Sequence, residues 1–254
     1  MRAEEYRAMF DLEDRLWWYT GMRAITAAIL DSRLRGKHGL NILDVGCGTG
    51  YSLAWLKKRF ITNNAFGVDY SPEASPFWRE RAIETSVLAS ATNLPFPSNH
   101  FDLITCFDVI YQFDVPDAHA AIKEVYRCLK PEGLLFIREP AYDWMRGSHD
   151  EAVATRHRFT QSELKRELSA RGFAIERASY ANTLLFGAAA LHRFLSRIKG
   201  ETSSDVRPAP AWINRSFSTI LNLEARWLRR MSFPFGLSVI VLAKKQRPML
   251  VAPR

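Results

Sequence analysis

The sequence predicts an α/β domain built on a mostly parallel sheet with helices packed on both faces. Three observations carry that expectation. Short apolar runs alternate with helical patterns along most of the chain. The first run, Asn41-Ile42-Leu43-Asp44-Val45, is closed by glycines, the signature of a buried parallel strand. Hydrophobic residues make up 47% and charged residues 24% of 254 residues, which suffices for a full core and excludes disordered, collagen-like and disulfide-stapled classes.

Each element has its own signal. Residues 5–35 read as two helices with a break near Thr20-Gly21. After the first strand, Ser52–Phe60 reads as a helix. Ala65-Phe66-Gly67-Val68-Asp69 is the second strand, and Ser71-Pro72-Glu73 starts a helix. Ser86–Ala89 is a third strand and Phe101–Cys106 a fourth. Asp117–Leu129 is a helix with Pro116 near its first position. Lys130-Pro131-Glu132-Gly133 turns into a fifth strand, Leu134–Arg138. Thr160-Gln161-Ser162-Glu163 is a capping box that opens a helix stopped by Gly172. Phe173–Ala178 and Leu237–Ala243 are the sixth and seventh strands.

In such sheets a ligand sits beyond the carboxyl ends of the strands, which directs attention to the loops after Val45, Val68, Ala89, Cys106 and Arg138. Two connections are too long for simple wiring: Glu139–Phe159, and the stretch between strands six and seven. Both leave from carboxyl ends and would stand over the site as lids. In the second, Ile213, Phe217, Ile220, Leu221, Trp227, Leu228 and Met231 form one apolar helical face, expected to pack on the domain. Arg226, Arg229 and Arg230 beside it keep an interfacial role in view. The expectation is a single domain over 1–254, with a helical cap (1–37), a binding core (38–180), a helical lid insertion (181–235) and the last strand (236–246).

Charge is unevenly spread. Residues 1–140 carry 16 Lys and Arg against 18 Asp and Glu, whereas residues 141–254 carry 19 against 9. The net +10 of the carboxyl-terminal part suits an anionic substrate, a membrane surface or nucleic acid, or simply a solvated basic face. Cys47, Cys106 and Cys128 form no C-x-x-C pair, which suits reduced thiols and a cytoplasmic setting and argues against a metal site. The opening residues lack the apolar stretch of a signal peptide, and Thr183–Leu191 and Gly236–Ala243 are too short to span a bilayer.

The chemistry concentrates in Asp44-Val45-Gly46-Cys47-Gly48-Thr49-Gly50, between the first strand and its helix. Gly46 and Gly48 let the backbone turn sharply and a ligand approach without Cβ obstruction. The pattern is G-x-G-x-G. A dinucleotide cradle wants a third glycine at position 51, which is Tyr, and the loop has no Lys for a P-loop. Asp69 ends the second strand, where a carboxylate can accept both hydrogens of a ribose diol.

Ile42–Gly50, Asp69-Tyr70-Ser71, Ala91-Thr92-Asn93-Leu94-Pro95-Phe96, Phe101–Phe113 and Leu129–Gly133 together resemble the class I S-adenosylmethionine (SAM) dependent methyltransferases. Trp17-Trp18-Tyr19 with Arg23, His149-Asp150, Arg158-Phe159-Thr160, Tyr180–Thr183 and Pro234-Phe235-Gly236 resemble one branch of that family. The resemblance implies a Rossmann-like sheet of seven strands with an antiparallel last strand, and SAM as methyl donor without a metal. It implies that Gly46, Cys47 and Gly48 underlie the methionine part and that Asp44 anchors the loop or the ammonium group. Asp69 would hold the ribose, Tyr70, Ala91 and Thr92 would flank the adenine, and Phe107, Tyr19 and Arg23 would line the methionine end. Ser90 stands where the family often carries Asp, and Ile110-Tyr111-Gln112 where it often reads Leu-Glu-His.

For the acceptor, His149, Tyr111 and Glu139 are candidate bases, since an oxygen acceptor must lose a proton. Gln112, Trp144, Arg146, His157, Arg158, Phe159, Tyr180 and Asn182 are candidate acceptor contacts: cations for an anion clamp, aromatic faces for a carbon acceptor passing through a cation. The expected acceptor is a small molecule, anionic or lipid-linked, such as an isoprenoid diphosphate, a carboxylate or a sugar-linked metabolite. RNA methylation is the first alternative, weakened because no RNA-binding module is visible. A SAM-binding partner protein without chemistry is the second, and a nicotinamide dehydrogenase a distant third.

Overall fold

A computed structural model describes residues 3–113, 115–147, 150, 153, 155–199 and 209–247. In chain order the elements are α1 (Ala3–Leu12), α2 (Trp17–Leu34), β1 (Ile42–Val45), α3 (Tyr51–Arg59), β2 (Ala65–Asp69), α4 (Ser75–Glu80) and β3 (Ser86–Leu88). These are followed by β4 (Phe101–Phe107), α5 (Val115–Cys128), β5 (Leu129–Pro140), α6 (Gln161–Ser169), β6 (Phe173–Ala181), α7 (Phe186–Lys199), α8 (Ala211–Leu228) and β7 (Ser238–Lys245). The seven strands form one sheet in the order β3-β2-β1-β4-β5-β7-β6. All neighbours are parallel except β7, which runs antiparallel to both β5 and β6.

The sheet is covered on both sides, which is why its central strands are apolar throughout. On one face Ala121, Ile122 and Val125 of α5 and Leu164 and Leu168 of α6 pack beneath Leu43, Ile104 and Val241. On the other, Met22, Ile25 and Ile29 of α2, Leu53 and Leu56 of α3, and Leu221 and Leu228 of α8 pack on Ile42, Leu103 and Ile240. Each such buried side chain stabilises the fold by about 1.5–3 kcal/mol relative to exposure. The expected capping box is present: Thr160 Oγ1 accepts from Glu163 N–H, and Thr160 N–H donates to Glu163 Oε2 (2.8 Å).

Three expectations change. The break between the first two helices falls at 13–16, and Thr20-Gly21 lies inside α2. Gly21 serves contact between helices: a Cβ there would stand 2.2 Å from Leu221 Cδ1 of α8. β5 begins at Leu129, five residues before the expected Leu134, because Leu129 pairs with Phe101 ahead of a shift in register. In the stripe expected to pack inward, Leu221 and Leu228 are buried, but Trp227 is 52% and Met231 53% exposed.

The two long connections leave the sheet at the carboxyl ends of β5 and β6. Of the second, α7 reaches over the strand ends, while α8 lies along α2 and is tied to it by Asn214, whose Oδ1 accepts from Trp17 N–H (2.6 Å). No helix among the described residues is long and apolar enough to cross a membrane.

Candidate functional site

The carboxyl ends of β1, β2, β4 and β5 open into one cavity of about 740 Å³, roofed by α1, the start of α2, the β5–α6 connection and α7. Its first end is built by the glycine turn. Gly46 and Cys47 N–H both donate to Val68 O (2.7 and 2.9 Å), which folds the loop back onto β2. Gly46 sits at φ +71°, and a Cβ there would lie 2.2 Å from Val109 Cγ2. Val109 already fills that space and φ is positive, so only glycine fits at that point of the turn.

Asp69 is the polar centre of this end. Its Oδ2 accepts from Gly48 N–H (2.8 Å), and its Oδ1 accepts from Ser71 N–H (2.9 Å) and from the Tyr6 hydroxyl (3.1 Å). The two backbone donors fix the carboxylate. The third partner comes from α1, whose Met9 also reaches the glycine loop, with its Cε 3.0 Å from a Cβ built on Gly48. Burial and the adjacent Asp69 charge push the Tyr6 phenol above its ordinary value, so it remains a donor. α1 is latched a second time by Glu13, whose Oε1 accepts from Thr49 Oγ1 (2.5 Å) and Arg81 Nη2 (2.6 Å).

Asp44 lies under the turn, 1% exposed. Its Oδ1 accepts from Thr105 Oγ1 (2.7 Å), and its Oδ2 finds no partner among the described residues. Burial pushes its carboxyl up to about 7, against the Thr105 hydrogen bond and the Arg138 charge. A cation above the turn would relieve it. Tyr19 and Arg23 of α2 close the same end. Arg23 Nη1 donates to Glu13 O (2.9 Å), and its guanidinium lies 4.4 Å from the centre of the Tyr51 ring.

The far end of the cavity carries an excess of cations: Arg138, Arg156, Arg158 and Arg193 line it, with Asp108 and Asp150 beside them. Arg138 is held between the Trp18 and Phe107 rings (5.0 and 5.1 Å) and paired with Asp108. Arg158 makes a buried two-pronged pair with Asp150 (2.8 and 2.9 Å) and donates to Ala141 O. Burial alone would raise Asp150, and the Arg158 guanidinium outweighs it and holds the carboxyl below its ordinary value. Tyr111 stands between the two ends, its hydroxyl accepting from Gln112 Nε2 (3.1 Å). Burial and the Asp108 charge raise its phenol above the usual range.

The structure sorts the residues that the sequence singled out. Tyr19, Arg23, Gly46, Cys47, Gly48, Asp69, Tyr70, Ala91 and Phe107 line the cavity, as do Tyr111, Gln112 and Arg158. Asp44 and Thr92 stand just behind the lining, where Thr92 N–H donates to Ser90 Oγ (3.2 Å). His149 lies outside the described residues.

Several others are turned to different work. Glu139 is fully buried, its carboxylate accepting from the N–H groups of Val109, Ile110 and Tyr111, so it holds the loop after β4 in place. Burial and Asp108 push it up to about 8, against those donors. His157 sits between Asp143 (3.0 Å) and Glu163 (3.7 Å), away from the cavity. Arg146 ties Asp143 to Thr155 O and Arg156 O. Phe159 is core, and Tyr180 is stacked on Tyr142 (5.2 Å) with its hydroxyl accepting from Gln161 N–H. Asn182 is buried against Met22 Sδ (3.2 Å), and Trp144 is 55% exposed.

Sequence reasoning missed Tyr6, Met9, Glu13, Arg138 and Arg193. Arg138 had a signal: it interrupts an otherwise apolar strand at its carboxyl end. The others arrive from helices whose placement no local pattern encodes.

A family model described as a methyltransferase domain matches residues 43–137. A demethylmenaquinone methyltransferase of Listeria monocytogenes is 33% identical over 109 residues, 40% of this chain and 45% of that protein. A ubiquinone/menaquinone biosynthesis C-methyltransferase of Chromobacterium violaceum is 34% identical over 112 residues, 42% of this chain and 45% of that protein. An uncharacterized protein of Methanocaldococcus jannaschii is 32% identical over 142 residues, 55% of this chain and 52% of that protein. The chain thus spans about half the length of these curated relatives. Among solved structures, a chain of the complex between the Haloferax volcanii Trm112 methyltransferase activator and the putative methyltransferase superposes with a TM-score of 0.63 at 20% identity. The match covers 97% of this chain and 95% of that one.

Proposed function

Through residues 43–137 this chain belongs to the class I SAM-dependent methyltransferases, and on that premise we propose that it methylates a small-molecule acceptor that is anionic or lipid-linked. The observation that carries the reading is the single cavity joining the glycine turn and Asp69 at one end to four arginines at the other. The quinone-methylating relatives support an acceptor with an apolar tail.

The residues fit SAM. Gly46 and Gly48 bring the turn into the cavity wall, and Asp69 accepts one hydrogen bond, from Tyr6, that a ribose hydroxyl can take over without disturbing Gly48 or Ser71. The buried Oδ2 of Asp44 has no partner among the described residues, which supports the role the resemblance implies for it, anchoring the loop or the ammonium group. Tyr70 and Ala91, which the resemblance assigns to the adenine, and Tyr19 and Arg23, which it assigns to the methionine end, all line the cavity, which supports the reading.

When bound, SAM supplies an activated methyl group on a sulfonium. What remains for the protein is to align the acceptor and exclude water. Arg138, fixed by Asp108 and the Trp18 and Phe107 rings, and Arg158, fixed by Asp150, frame an end whose lining arginines outnumber its carboxylates, which favours a negatively charged head. Tyr111 keeps its proton at neutral pH, so it donates a hydrogen bond to the acceptor and does not remove a proton from it. An acceptor that arrives already ionised suits this cavity, whose described lining contains no histidine.

The test is transfer of labelled methyl from SAM into an extract separated into water-soluble anions, lipids and RNA, with Asp69→Ala as control. Label in the anion or lipid fraction is the expected result. Label in RNA overturns the acceptor class, and SAM binding without transfer to any fraction favours a non-catalytic SAM-binding protein.

A further inference from the structure

Outside the cavity, the outer side of α8 and the segment that follows it expose several large apolar side chains among the described residues. Leu223 and Trp227 are each 52% exposed, and Met231 is 53%. Leu184 and Phe235, 55% and 46% exposed, belong to the same surface. Glu224 Oε2 accepts from Leu184 N–H (3.2 Å), Thr183 Oγ1 donates to Phe235 O (2.5 Å), and Trp227 stacks on Phe233. Contiguous exposed apolar area of this kind marks an interaction site.

Its charge is one-sided. Between residues 209 and 237 the only acidic side chain is Glu224. It is fully buried and turned inward onto the N–H groups of Thr183 and Leu184. Arg215, Arg226, Arg229 and Arg230 are exposed. An aliphatic and tryptophan surface with arginines and no exposed carboxylate complements an anionic lipid headgroup layer. A second copy docked here by two-fold symmetry would set the arginines against themselves. RNA would leave Leu184, Leu223 and Met231 without partners, because its bases stack on aromatic rings.

The surface also leads to the cavity. Phe186 contacts both Phe235 (5.5 Å) and Trp144 (6.0 Å), and α7, which begins with Phe186, contributes Ala189 and Arg193 to the lining. Leu237 and Ser238, just beyond Phe235, line it too.

We propose that the face formed by α8, Leu184 and residues 231–235 docks on membranes containing anionic lipids, with the Arg193 end of the cavity beside the bilayer. That an acceptor enters from the lipid rests on the lipid-linked reading above. The docking itself does not.

The experiment is co-sedimentation of the full chain with phosphatidylcholine vesicles, with and without phosphatidylglycerol. SAM affinity is measured in parallel as a check of folding. Binding is expected to require phosphatidylglycerol and to weaken with salt. It should fall about tenfold or more in Leu223→Glu/Trp227→Glu and in Arg226→Glu/Arg230→Glu, with SAM affinity unchanged. Vesicle binding that both variants retain, no vesicle binding by the parent chain, or variant-sensitive dimerisation or single-stranded RNA binding in place of vesicle binding each overturns the proposal. A water-soluble acceptor methylated equally well by parent and variants would refute the lipid-linked acceptor while leaving the vesicle result to stand.

Discussion

The two ends of the cavity are held together by different means. At the proposed cofactor end the polar centre is local: the turn at 46–48, Asp69 and Ser71 are joined by backbone N–H groups, with Tyr6 and Met9 of α1 and Tyr19 and Arg23 of α2 closing over them. The acceptor end is assembled from afar. Arg138 and Arg158 depend on Asp108 and Asp150 and on the Trp18 and Phe107 rings, and Arg193 comes from α7. Backbone hydrogen bonds tolerate side-chain change, whereas buried ion pairs fail when one partner goes. The arginine end, where the acceptor is proposed to sit, should therefore be the fragile one.

The largest expected effect tests that fragility. Arg158→Ala leaves Asp150 buried without its counter-ion and should cost about 3–5 kcal/mol in denaturant unfolding. If the ends are independent, SAM affinity measured by calorimetry on the folded fraction stays within about threefold while transfer is lost. A parallel loss of SAM affinity would break the distinction. Next, Asp69→Ala removes the ribose acceptor and should lower SAM affinity about 100-fold. A loss below tenfold would move the ribose elsewhere.

A smaller effect appears with pH. Glu139 and Asp44 hold protons more tightly when folded than when unfolded, with values pushed up to about 8 and about 7. The stability they contribute is fully present below the ordinary carboxylate range and is lost as pH rises toward about 8. Unfolding free energies from denaturant titrations should fall over that interval by on the order of 1–3 kcal/mol, and Glu139→Gln should flatten the slope. The smallest effect is that of Tyr6→Phe. It vacates one acceptor position on Asp69, so SAM affinity should rise up to about threefold while the unliganded chain loses about 1 kcal/mol. Weaker SAM binding would make Tyr6 a ligand contact and not a competitor.

The same contrast governs how much could be read in advance. The strands and the glycine turn were legible because each rests on contiguous residues: apolar runs, two glycines that take positive φ, and a carboxylate at a strand end. Glu139 was not, since its position at the end of β5 is that of a catalytic group. Only the arrival of three N–H groups from 109–111 shows that it supports a loop. Arg158 looked like an anion clamp because Asp150 stands eight residues away, at a spacing no helix or strand brings together. Gly21 suggested a helix break and proved to be where another helix passes.

That crossing has a consequence for engineering. Because Leu221 occupies the space a side chain at position 21 would need, α2 and α8 are matched to each other. α2 in turn presents Trp17, Trp18, Tyr19 and Arg23 to the cavity. A chimera that imports residues 182–237 from a relative to change the acceptor would arrive with the wrong knob for this hole and would shift the roof of the cofactor end. The first helical segment and the late insertion are thus packed as one unit, and an exchange that carries both preserves the fit.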